Sequence, residues 1–260
     1  MIPNRESGLH NIDMYFKTKA LILREVRYKE ADRMLTLFSD SRGKLSAKAR
    51  GALRKGSRIC AATQQLTYSE LTVFENRGRL TVNEAEVLEP FSGLREDIAK
   101  FSLGCYFAEC LESFGVEDQA DPTLLQLGLN ALFALSRGFY TPEQVKAAFE
   151  LRLMCIAGYE PNLSCCAGCG AEMPNEPVLG IADGTLYCRN CRKVSDGSFA
   201  LLTAGALSAS RYITSAPPKQ FLSFDLDEPD LKCLERTWEK YILEHSERKF
   251  STLDYWKKVR

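Results

Sequence analysis

Residues 19–50 read KALILREVRYKEADRMLTLFSDSRGKLSAKAR. Three short apolar runs, KALILREV, RMLTLF and KLSAKAR, are separated by polar turn signals. In the third, Leu45, Ala47 and Ala49 alternate with polar residues, the period of a strand with one buried face. The DSRG connection at 40–43 is a hairpin-type turn. Two more such runs follow, LTYSELTVF at 66–74 and LTVNEAEVL at 80–88, joined by NRG. Five short strands between Lys17 and Glu89 predict a small closed barrel. A five-stranded OB-type barrel fits, and an SH3-like barrel is the rival from pattern alone.

The same region carries an uneven charge. SRGKLSAKARGALRKGSR, residues 41–58, holds seven Lys or Arg, three glycines and no acid, in a chain with 34 basic and 34 acidic residues. Residues 1–90 contain 16 basic and 11 acidic residues, a net of +5, and residues 91–260 contain 18 and 23, a net of −5. Such asymmetry points to one part of the chain facing a polyanion. More cations precede the run at Lys17, Lys19, Arg24, Arg27, Lys29 and Arg33. A groove lined this way follows a phosphate backbone without reading sequence. The candidate contacts are Lys17, Arg24, Arg27, Arg33, Lys44, Lys48, Arg50, Arg54, Lys55 and Arg58; a solvated face is the plain alternative. Tyr15, Phe16, Tyr28, Phe38, Tyr68 and Phe74 lie nearby, divided in some way between core and base stacking. FSTLDYWKKVR at 250–260, with Lys257, Lys258 and Arg260 beside Tyr255 and Trp256, is a second, weaker candidate.

After Pro90 the apolar period becomes helical. Three segments, 94–114, 121–138 and 141–161, are apolar enough to pack as a bundle. Asp121 is placed to cap the second, with Pro122 at its first turn. Thr141 and Gln144 form a capping-box pair ahead of the third, and Gly158 suits its end. Further helices are expected at 203–216 and 229–247. The acids of DLDEPD, 225–230, suit the positive end of the latter helix better than a calcium loop, which needs glycine where Asp230 stands.

CCAGCGAEMPNEPVLGIADGTLYCRNC, 165–191, interrupts the helical part. Cys166 and Cys169 form one CxxC pair and Cys188 and Cys191 another, with 18 residues between the pairs. Two CxxC turns supply four thiolates to a tetrahedron, the spacing of a structural zinc site with no open position for catalysis. Cys165 competes with Cys166, whose spacing copies the other pair. Gly170 fits the sharp bend. The remaining cysteines, Cys60, Cys105, Cys110, Cys155 and Cys233, sit singly among apolar neighbours as small hydrophobes. The expected division is therefore an α+β chain: a flexible or tag-like extension at 1–13, a barrel at 14–90, a helical domain at 91–162 and 200–260, and a zinc insertion at 163–199. Met14 is an alternative start.

GALRKGSR, 51–58, approximates a phosphate-binding loop, but Ser57 and Arg58 replace its Lys and Ser or Thr. With only His10 and His245, a histidine-dependent base is disfavoured, and no carboxylate cluster suggests a nuclease. No apolar run is long enough to span a bilayer and the N-terminus lacks a secretory centre, so a cytoplasmic protein is expected.

KTKALILREVRYKEADRMLTLFS, RGKLSAKARGALRKGSR, VLEPFSGLREDIAK, FELRLMCIAGYEP and CAGCG…LYCRNC, in that order, resemble the bacterial RecO family over nearly the whole chain after Tyr15. The resemblance implies an OB barrel, a helical domain and a zinc insertion. It implies a non-enzymatic mediator of DNA repair and recombination that binds single- and double-stranded DNA and anneals complementary strands. Such a protein acts at the nucleoid with RecR, with or without RecF, and helps RecA replace single-stranded DNA-binding protein (SSB). It binds the acidic, apolar C-terminal tail of SSB through its helical domain, where Arg152 either pairs with that tail or packs between helices. The barrel and basic run alone also allow a zinc-ribbon RNA-binding factor of transcription or translation.

Overall fold

The structure, a computed structural model, describes residues 14–192 and 197–260, so the expected extension at 1–13 lies outside it. Its strands are β1 (Met14–Tyr28), β2 (Asp32–Ser39), β3 (Gly43–Ala49), β4 (Tyr68–Asn76), β5 (Arg79–Glu89), β6 (Pro177–Gly180), β7 (Leu186–Cys188) and β8 (Phe199–Leu201). Its helices are α1 (Ile98–Phe114), α2 (Pro122–Arg137), α3 (Pro142–Ile156), α4 (Ala204–Ser215), α5 (Glu228–His245) and α6 (Ser251–Val259). They form two compact units. One takes the chain up to Pro90 together with Val116–Ala120; the other takes Phe91–Gly115 and Asp121–Arg260.

In the first unit β1 to β5 close in the order β1-β2-β3-β5-β4. Neighbours are antiparallel except β3 and β5, which run parallel where Ala47–Ala49 meet Leu80–Val82. This is an OB-type barrel, and the SH3-like alternative falls. Alternate residues fill its interior, among them Ala20, Ile22, Leu35, Leu37, Leu45, Ala47, Leu71, Val73 and Val82.

The 15-residue β1 serves two partners, β4 along its first half and β2 along its second. The register slips between Ile22 and Arg24. An extra residue inverts which side chains point outward. Tyr15, Lys17 and Lys19 face out before the slip; Arg24, Val26 and Tyr28 face out after it, in register with Thr36, Met34 and Asp32 of β2.

The second unit is built on α3, whose side chains are buried almost all the way round. Asp121 caps α2 through the Leu124 amide at 2.9 Å, and Gly158 follows α3 with φ +88°. Thr141 caps α3 through the Gln144 amide, but Gln144 does not complete the box. Its side-chain amide donates instead to the carbonyls of Leu222 and Phe224, at 3.1 and 2.8 Å. Asp227 caps α5 through the Asp230 amide, so the acidic stretch is a helix start. Arg152 packs between helices: its guanidinium donates to the Ile213 and Thr214 carbonyls at the end of α4, at 2.9 and 2.7 Å.

The helix α6 is absent from the sequence reading, which gave the chain's end only as cations beside aromatics. Lys257 and Arg260 form ion pairs with Glu239 and Glu235 of α5, and Arg260 lies over the Trp256 ring at 4.5 Å. These cations are spent inside the unit. Beneath them Lys146, fully buried, bridges Glu150 at 3.0 Å and Glu239 at 2.9 Å, while the Tyr106 hydroxyl donates to Glu150. Burial pushes the Glu150 carboxyl up to about 7 although Lys146 and Tyr106 pull it down. Burying these charges is tolerable only because each has partners. Among the described residues no helix is long and apolar enough to cross a membrane.

Candidate nucleic-acid interface and metal centre

The outer face of β1, β2 and β3 gathers the residues that follow the β1 slip. Cross-strand neighbours on one face lie about 5 Å apart. One row is Arg24, Thr36 and Ser46, and the next is Val26, Met34 and Lys48. Arg24 donates to the Thr36 hydroxyl at 3.3 Å. Tyr28 ends the hairpin opposite Asp32, and the Lys48 ammonium lies 5.0 Å from its ring centre.

Asp32 organises this end of the barrel. Its carboxylate accepts from Lys48 at 2.8 Å and from the Gly51 amide at 2.7 Å. The Lys48 hydrogen bond, then that of Gly51, holds the acid below its ordinary pKa. The Leu53 amide donates to Ala31 O at 2.9 Å, so the loop after β3 folds back onto the β1–β2 turn. The loop so anchored carries the exposed Arg50, Arg54, Lys55 and Arg58, and the turn it meets carries the exposed Lys29 and follows the exposed Arg27. The segment 51–58 is turns without a helix, unlike a phosphate-binding loop.

Three cations expected here are placed otherwise. Arg33 is buried: Nη1 donates to Cys60 O at 2.7 Å and Thr63 Oγ1 at 2.9 Å, and Nε pairs with Glu25 at 2.9 Å. It clamps the long loop to the barrel and presents no charge to solvent. Lys17 lies before the β1 slip, in register with Thr72 of β4, which bonds Glu84 at 3.3 Å. Its outer face carries the acids of β4 and β5, roughly 20 Å along the strand from Arg24. Lys44 is half-buried at the other end of β3, where its amide and carbonyl pair with Val116 and Asp118. Arg42, inside the basic run, is neutralised by Glu75 and Asp118. Gly43 sits there with φ +61°, and a Cβ would come within 1.9 Å of Gln119 O, so a larger residue would expel the segment 116–120.

In the second unit β7, β6 and β8 form a small antiparallel sheet that carries the cysteines. The Sγ atoms of Cys166, Cys169, Cys188 and Cys191 all lie within 4.8 Å of one another; Cys165 is outside the cluster. Burial works against a thiolate at Cys166, but amide donors from Cys188, Cys169 and Gly168 outweigh it and bring the thiol down to about 6. Hydrogen bonds among the sulfurs push Cys191 up to about 12. As thiolates, four sulfurs this close would need a cation between them, and the donor set suits a divalent, thiophilic metal in a closed site. Two supporting residues escaped the sequence reading. A Cβ on Gly168 would come within 2.7 Å of Cys191 Cβ, so only glycine lets the two turns approach. Arg211 of α4 donates to the carbonyls of Leu163, Ser164 and Glu172, anchoring the loop to the helices. The glycine inside CAGCG was a legible signal; Arg211, about 20 residues beyond the last cysteine, was not.

Comparison with known proteins also divides the chain near residue 90. Residues 14–91 match the family model described as "Recombination protein O N terminal", and residues 95–254 match "Recombination protein O C terminal". The chain is 33% identical over 241 residues to a "DNA repair protein RecO" of Acetivibrio thermocellus, covering 93% of this chain and 96% of that one. It is 30% identical over 247 residues to the protein of the same name from Alkaliphilus metalliredigens, covering 95% and 100%. A third, from Heliobacterium modesticaldum, is 35% identical over 209 residues, covering 78% and 75%. The chain therefore belongs to the RecO family.

Proposed function

We propose that this chain is a non-enzymatic mediator of DNA repair and recombination. Its barrel holds single- and double-stranded DNA by the phosphate backbone and brings complementary strands together for annealing. With RecR, and with RecF where that partner takes part, it would help RecA load onto DNA coated with SSB, at the nucleoid in the cytoplasm. The observation that carries the reading is the cationic end of the OB barrel. Arg24, Arg27, Arg50, Arg54, Lys55 and Arg58 are all exposed around the β1–β2 hairpin and the loop folded onto it. Backbone recognition needs positive charge and accessible surface, not a base-reading groove.

In the same reading the four cysteines hold one zinc ion. It replaces the apolar core that a three-stranded sheet of strands this short cannot build. The SSB tail would dock on the helical unit without Arg152, whose guanidinium is committed to α4.

The test is annealing of SSB-coated complementary oligonucleotides, with and without the protein and in the absence of any nucleotide. Faster duplex formation supports the reading. An absolute requirement for ATP, or no acceleration at any protein concentration, refutes it.

A further inference from the structure

We infer that Tyr28 is the residue that distinguishes an unpaired DNA strand from a duplex, by stacking its ring on a base. The inference rests on the reading of the barrel face as the DNA site and adds to it a residue-level basis for strand preference.

The other aromatics of the barrel are excluded one at a time. Phe38 is fully buried. Phe16 packs against the barrel core, with Arg42 over its ring at 5.2 Å. Tyr68 is half-buried near Asp40. Tyr15 is exposed but pairs with Phe74, ring centres 4.8 Å apart, on the face that carries Glu70, Glu84 and Glu86. A phosphate beside a base stacked there would meet those carboxylates.

Tyr28 differs on each count. It is 42% exposed and closes the β1–β2 hairpin, where the turn is set by Lys29 with φ +56°. Exposed Val26 and half-buried Met34 continue the apolar surface beside it. Lys29 stands 5.7 Å from its ring centre, within reach of a phosphate flanking a stacked base, and Lys48, paired with Asp32, stands 5.0 Å from it. Of the acids in this turn, Asp32 is bonded to Lys48 and Gly51, and Glu30 is exposed on the far side of Lys29 in the chain. A ring fixed at the end of a hairpin among cations is a stacking platform beside a backbone track. A duplex offers it no free base face, because its bases already stack on one another, so the ring acts only on an unpaired strand.

Base stacking on an aromatic side chain contributes about 5- to 150-fold in affinity by alanine substitution. The experiment measures fluorescence anisotropy with three labelled probes of equal length: a mixed-sequence single strand, its duplex, and an abasic strand. Tyr28→Ala is expected to weaken binding of the single strand within that range, leave the duplex within about twofold, and leave the salt slope unchanged. The abasic strand should bind the native protein about as weakly as the normal strand binds Tyr28→Ala. Tyr28→Trp should keep affinity, and the single strand should quench its emission while the abasic strand does not. The native Trp238 and Trp256 are fully buried and supply a constant background. Equal losses on all three probes would overturn the inference, because Tyr28 would then only shape the surface. No loss on any probe would overturn it too. If the native protein binds none of the probes, the reading of the face itself fails and the inference falls with it; binding by the native protein keeps the two failures apart.

Discussion

Replacing Arg54 and Lys55 with alanine tests the barrel surface quantitatively. After the buried Arg33, the paired Lys48 and Arg42 and the displaced Lys17 are removed, seven exposed cations remain around the hairpin and loop: Arg24, Arg27, Lys29, Arg50, Arg54, Lys55 and Arg58. Each phosphate they neutralise on a single strand contributes about −0.7 to the slope of log affinity against log salt. Seven contacts give a slope of about −5, which corresponds to a loss of roughly 900-fold between 50 and 200 mM salt. The double variant should show a slope of about −3.5 and a loss of roughly 130-fold over the same range. Both side chains are exposed in a loop without regular structure, so thermal unfolding and zinc content should match the native protein. The weakening should be the same for every strand sequence, because backbone contacts carry no base information. Titration of a labelled strand by anisotropy at four salt concentrations measures both slopes. Unchanged affinity and slope in the folded variant would refute the reasoning and leave the run as a solvated face.

Three further outcomes follow from the second unit. Metal analysis of protein purified without chelator should find one zinc per chain; Cys166→Ser should lose it, Cys165→Ser should keep it, and Gly168→Ala should bind it less tightly. Lys146→Met should lower stability by about 3–5 kcal/mol in denaturant titration, since it leaves Glu150 and Glu239 facing each other without their buried cation. Glu150 has a folded pKa of about 7 against about 4.3 when unfolded, so between these values the unfolded chain releases a proton that the folded chain retains. Its contribution to stability is therefore intact below about pH 4 and is lost as pH rises toward 7, by on the order of 3 kcal/mol; Glu150→Gln should abolish that component in unfolding measured across the range.

The barrel was legible because each strand alternates, and Leu45, Ala47 and Ala49 take the interior positions that period 2 assigns them. What was not legible is the slip between Ile22 and Arg24. Strict alternation groups Lys17 and Lys19 with Arg27 and opposes them to Arg24. The slip instead puts Arg24 on the β2–β3 side and leaves Lys17 near the acids of β4 and β5. Arg33 looked like one more cation because its partners, Glu25, Cys60 and Thr63, lie up to 30 residues away in sequence. The four cysteines of the cluster were readable, since both CxxC turns are local, but the Arg211 anchor on α4 was not. The chain's last helix was not: it is held by Glu235 and Glu239 on α5, and sequence alone shows only cations beside aromatics.

Lysine acetylation with and without a bound single strand locates the DNA most directly. The account predicts that the strand protects Lys29 and Lys55 at the hairpin end of the barrel and leaves Lys17 and Lys19, beside the acidic strands, as reactive as in the free protein. Protection of Lys17 and Lys19 with none at Lys29 and Lys55 would contradict it.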